Sequence, residues 1–205
     1  MDMVITRLFD TYEHATEAVA DLEASGVPHN ATSLIASNAD NRHGGGTAPI
    51  EEAEPADAVA DSAGTGASVG TVLGGGAGLL AGLGMLAIPG IGPVVAAGWL
   101  VATALGAGVG AASGGLLGSL VGAGVAETDA HAYAEGVRRG GTLVTVRSEE
   151  NQSAMVESIL AKHATVDIGT RADEYRRGGW SRFDESAPAY TAGGSPSIGS
   201  TPPSA

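Results

Sequence analysis

With 205 residues, ten Lys+Arg against twenty-three Asp+Glu and a formal net charge of −13, the chain is poorly suited to electrostatic binding of nucleic acid. It has no cysteine, which excludes disulfides, thiolate metal sites and thiol catalysis. A long charge-free run and a polar tail leave about half of the length for a water-soluble core, so any soluble domain is small.

In chain order, Met1 to Arg7 carries no basic start, apolar stretch or cleavage site of the signal-peptide kind, so an internal segment is expected to mediate any membrane insertion. Val4 to Phe9 is β-rich, and Asp10 with Glu13 three residues on predicts a capping box. Ala15, Ala18, Val19 and Leu22 then fall at i, i+3, i+4 and i+7, one face of a helix that Gly26 and Pro28 close. Thr32 to Ala36 predicts a second strand. Residues 39–61 are acidic and contain Gly and Pro, and read as a flexible linker. Its carboxylates, Glu51, Glu52, Glu54, Asp57 and Asp61, form a solvated spacer in preference to a cation site.

From Asp61 to Glu127 sixty-five residues pass without a charge, and glycine falls twice on every fourth position. The first ladder is Gly66, Gly70, Gly74, Gly78 and Gly82; the second is Gly106, Gly110, Gly114, Gly118 and Gly122. Between them lies Pro89-Gly90-Ile91-Gly92-Pro93, a helix-breaking turn signal. Small residues four apart let helices approach closely, which predicts a glycine-zipper helical hairpin over residues 63–126. A turn at 89–93 would set Gly78 against Gly106 and Gly74 against Gly110. Each ladder sweeps about 160° round its helix, so one straight neighbour cannot cover it and an oligomer is expected.

Beyond the run, residues 127–140 predict a short amphipathic helix with Ala130, Tyr133, Ala134 and Val137 on one face and Gly140 as its stop. Thr142 to Val146 predicts a strand. Met155, Val156, Ile159 and Leu160 give the next segment one apolar helical face, and Thr165 to Ile168 predicts a last strand. Residues 1–38 and 141–172 thus spell strand-helix-strand twice, an α+β, ferredoxin-like split βαβ domain interrupted by the hairpin. Residues 173–205 are rich in Gly, Ser, Pro and Ala and predict a disordered tail. Trp180, Phe183 and Tyr190 stand out in it, either as a docking motif for a protein partner or the oligomer, or as a tail packed weakly on the sheet.

Catalytic, cofactor and metal signatures are not evident. Gly106-Ala107-Gly108-Val109-Gly110-Ala111 imitates a dinucleotide fingerprint but follows no predicted strand. His14, His29, His43, His131 and His163 never form a ligand-spaced pair and read as surface or partly packed residues.

Three stretches resemble the bacterial general stress and low-temperature-induced proteins. They are Val4 to Tyr12 with its Ala-rich helix, Ala87-Ile88-Pro89-Gly90-Ile91-Gly92-Pro93, and Tyr133 to Val144. The resemblance spans roughly residues 3–170 and implies a non-enzymatic, stress-associated protein without catalytic residues. Together these features predict a homo-oligomer whose hairpin lies in the cytoplasmic membrane, reinforcing or remodelling the bilayer or forming a pore. Arg42, Arg138 and Arg139 would keep both termini in the cytoplasm. The alternatives are a soluble cytoplasmic scaffold or shell with hairpins packed between subunits, and a regulatory module that binds a small ligand on its sheet.

Overall fold

The computed structural model describes residues 2–39, 84–101, 115–187 and 190. These form a mixed α/β body around one six-stranded antiparallel sheet. The strands are β1 (Asp2–Phe9), β2 (Thr32–Ser37), β3 (Gly84–Ile88), β4 (Gly92–Gly98), β5 (Thr142–Glu149) and β6 (Thr165–Val166), in the order β3-β4-β2-β5-β1-β6. The α-helices that cover the sheet or follow it are α1 (Tyr12–Ala24), α2 (Gly115–Gly122), α3 (Glu127–Arg138), α4 (Ser153–Ala161) and α5 (Ile168–Arg177), and residues 99–101 are also helical.

Both faces of the sheet are covered. On one side α1 buries the predicted Ala15, Ala18, Val19 and Leu22, and α4 buries Val156, Ile159 and Leu160, against Ile5, Phe9, Leu34 and Val144. On the other, Ala130, Tyr133, Ala134 and Val137 of α3 meet Leu8, Ile35 and Leu143, with Leu116 and Leu120 of α2 beside them. Burying a Leu or Val side chain is worth about 1.5–3 kcal/mol, so this double cover is the main source of cohesion. It also explains why β2, at the centre, is buried at all six positions instead of alternating. Helix α3 lies very close to β1: a methyl group added at Gly136 would stand 2.5 Å from Leu8 Cδ2.

Several expectations change. Residues 84–98 are strands, not helical arms: the signal at 89–93 turns a β-hairpin, with Pro89 to Ile91 in the turn and Gly92 and Pro93 already in β4. The run here is only five to seven apolar residues on each side, which a sheet edge accommodates as readily as a helix. The register pairs Ile88 with Gly92 and Gly84 with Ala96, centring the hairpin on Gly90, two residues before the point that would oppose Gly78 and Gly106. Gly66, Gly70, Gly74, Gly78, Gly82, Gly106, Gly110 and Gly114 lie outside the described residues, as does the acidic linker from residue 40 onward. Gly118 and Gly122 lie in α2, and among the described residues no other part of the chain comes within 4 Å of a methyl group placed on Gly122.

The helix after β1 is capped by Thr11, whose hydroxyl accepts from the His14 N–H at 3.3 Å, and not by Asp10. Asp10 instead accepts two hydrogen bonds from Arg171, at 2.7 and 3.0 Å. The last strand is cut to two residues because Asp167 caps α5, its carboxylate accepting from the Thr170 N–H at 2.7 Å. That bond, through the backbone N–H, holds the Asp167 carboxyl below its ordinary value. Residues 173–187 are therefore ordered, as the end of α5 and a strap after it. Met155 is exposed, not part of the buried face of α4.

Candidate functional site: the hairpin turn and its strap

Two motifs far apart in the sequence meet in space. The strap following α5 crosses the β3–β4 turn with Phe183, only 3% exposed, packed in the core of the second face. Gly90, at φ +76°, is the seat: a Cβ there would lie 2.7 Å from the Asp184 carbonyl oxygen and 2.8 Å from Glu185 Cα. Only glycine offers both the left-handed backbone and the absence of a side chain. The turn sequence Pro89 to Pro93 thus reverses the hairpin and leaves the strap a place to lie.

Local contacts shape the strap. At its start the Trp180 N–H donates to the Tyr175 carbonyl at 3.0 Å, and the two rings meet edge to face at 5.8 Å. Near its end the Asp184 carboxylate accepts from the Ser186 hydroxyl at 2.6 Å and the Ser186 N–H at 2.9 Å, which keep that carboxyl below its ordinary value. Tyr190 lies under the guanidinium groups of Arg138 and Arg139, 5.8 and 5.7 Å from its ring centre. Arg139 also stacks over Tyr175 at 4.4 Å.

Glu135 holds these arginines. It is buried to 1% exposure on α3, yet its carboxylate accepts from Arg139 Nε at 2.6 Å and from Arg138 Nη1 at 3.3 Å. A buried carboxylate requires such partners, and here the partners face the strap's aromatic residues. Tyr175, beneath Arg139, has its phenol pKa raised by burial, an effect that Arg171 opposes. The three predicted docking aromatics all contact the chain itself: Trp180 meets Tyr175, Phe183 is buried in the core, and Tyr190 lies against Arg138 and Arg139.

The remaining candidates stay apart. Among the described residues no group of three or more His, Asp or Glu side chains is arranged to hold a metal ion. His163 bridges to Asp21 at 2.9 Å and Glu17 at 3.7 Å, tying α4 to α1, while His29 meets Glu23 at 3.3 Å. The bounds of α5 were readable in outline, through an Asp followed three residues on by Thr and a terminal Arg176-Arg177-Gly178. The buried role of Glu135 carried no sequence signal.

The fold and the junction define an α/β body with a strapped edge hairpin. No protein-family model, curated protein or solved structure matches this chain.

Proposed function

We propose that the chain is a non-enzymatic, self-associating scaffold protein of the stress-associated kind, whose folded body carries glycine-ladder segments that bind other copies. Its β2-β5-β1-β6 portion supports a ferredoxin-like split βαβ reading, with helices after β1 and after β5 and the β3–β4 hairpin added beside β2. The observation that carries the scaffold reading is the placement of the hairpin. Gly84, where the first ladder's segment rejoins the body, begins the outermost strand of the sheet, beside Ala96. That segment therefore joins the body at a sheet edge, an attachment that supports contact with neighbouring molecules.

This favours the soluble scaffold over the two-span membrane hairpin, because the expected far turn of that hairpin is seated under Phe183 and Asp184. Among the described residues no helix is long and apolar enough to cross a membrane. The test is particle size without detergent. Native chain is expected as a high-mass soluble species, and Gly74→Leu with Gly110→Leu is expected to reduce that mass. Native protein recovered only with membranes would overturn the soluble reading in favour of bilayer insertion, and an unchanged mass in the double variant would remove the ladders as the contact.

A further inference from the structure

We propose that Arg139, backed by Glu135, anchors a binding site for a phosphoryl group at the C-terminal end of α3, with Tyr175 and Tyr190 as its walls. Arg139 is held from behind: its Nε donates at 2.6 Å to the Glu135 carboxylate, a side chain only 1% exposed. That bond fixes the plane of the guanidinium. Neither Nη group of Arg139 has a hydrogen-bond partner among the described residues, and the side chain is 33% exposed. The two-pronged donor edge of the guanidinium is therefore oriented but unspent.

Two rings and a second cation surround that edge. The Tyr175 ring centre lies 4.4 Å from Arg139 Cζ and the Tyr190 ring centre 5.7 Å from it, while Arg138 brings its own guanidinium to 5.8 Å from the Tyr190 ring. A planar guanidinium with both Nη groups open meets two oxygens of a phosphoryl group at once, and a second guanidinium beside it suits a double negative charge. Aromatic walls suit a phosphoryl group carried on a ring.

The nearby carboxylates do not fill this role. Arg138 and Arg139 share Glu135, and no other carboxylate among the described residues pairs with Arg139. On the strap, Asp184 lies within electrostatic reach of Arg138 but accepts its hydrogen bonds from Ser186, and Glu185 Oε1 stands 3.9 Å from a Cβ placed on Gly115, at the start of α2. Two sources supply a phosphoryl group on a ring: Tyr190 of this chain, phosphorylated on its hydroxyl, or a separate aromatic phosphate monoester.

Phenyl phosphate is the probe. Added to the full-length chain at constant ionic strength, it is expected to bind saturably by phosphorus NMR and, at ten times its dissociation constant, to raise the melting temperature by about 3–6 °C. Benzoate at the same concentration should leave the melting temperature unchanged. Arg139→Lys keeps the charge beside Glu135 but loses the fork, so it should bind at least about tenfold more weakly with unchanged far-UV circular dichroism, while Arg177→Lys, exposed on α5, binds as the native chain does. Chain phosphorylated on Tyr190 separates the sources: higher melting with no further binding of phenyl phosphate assigns the site to Tyr190, and unchanged melting with retained binding assigns it to a separate monoester. An equal response to benzoate, native affinity in Arg139→Lys, or no saturable binding together with unchanged melting of the phosphorylated chain would overturn the proposal.

Discussion

Replacing Gly90 by alanine tests whether the strap is seated on the turn. An alanine in the left-handed region costs roughly 1–2 kcal/mol from its own backbone. At Gly90, with φ +76°, the new methyl also meets the Asp184 carbonyl oxygen at 2.7 Å and Glu185 Cα at 2.8 Å, both backbone atoms that cannot rotate aside. Overpacking of this kind adds roughly 1–3 kcal/mol. Gly26 is the internal control: its φ is +92° and nothing lies within 4 Å of an added Cβ, so Gly26→Ala carries the backbone cost alone. At about 2–4 °C per kcal/mol for a chain of this size, Gly90→Ala should melt at least about 2–4 °C below Gly26→Ala. Trypsin cleavage after Arg182 should quicken in Gly90→Ala only. Equal melting temperatures and equal cleavage rates would show that the strap does not rest on the turn.

Glu135→Gln keeps an acceptor for Arg139 but removes the buried countercharge of two guanidinium groups. It should cost roughly 2 kcal/mol and loosen the cover over Tyr175 and Tyr190, measured as a melting shift of about 5 °C and higher tyrosine accessibility to quencher. Tyr133 supplies a pH dependence. Burial raises its phenol pKa above the ordinary value of 10.0, so the folded state retains the proton longer than the unfolded one. Its contribution to stability is fully present below pH 10 and is lost as the pH rises through the folded value, so alkaline unfolding should be delayed to higher pH in Tyr133→Phe relative to its own neutral-pH stability.

Legibility in the sequence followed periodicity. Ala15, Ala18, Val19 and Leu22, and again Ala130, Tyr133, Ala134 and Val137, are buried as their spacing requires, because one apolar stripe has one way to meet a sheet. The stretch from Gly84 to Gly98 misled because its four-residue glycine spacing on either side implied helices. Val94 and Val95, with a proline-glycine turn before them, were equally a hairpin signal. In the tail, composition hid a local signal: Asp167 as cap and Gly178 as stop frame α5 within residues otherwise rich in turn formers. Glu135 was illegible because a carboxylate on an amphipathic helix normally marks the wet side. Its burial follows only once α5 and the strap close over α3.

The strand order also bears on the timing of synthesis. β1 and β2 never pair with each other; each pairs with β5, which leaves the ribosome about a hundred residues after β2. At roughly 5–20 residues per second, the nascent β1-α1-β2 unit waits on the order of 5–20 s for the strand that joins its halves. The whole charge-free stretch emerges during that interval. The protein is consequently most exposed to misassembly during translation, and its expression should respond more to holding chaperones and slowed elongation than to the stability of the finished fold.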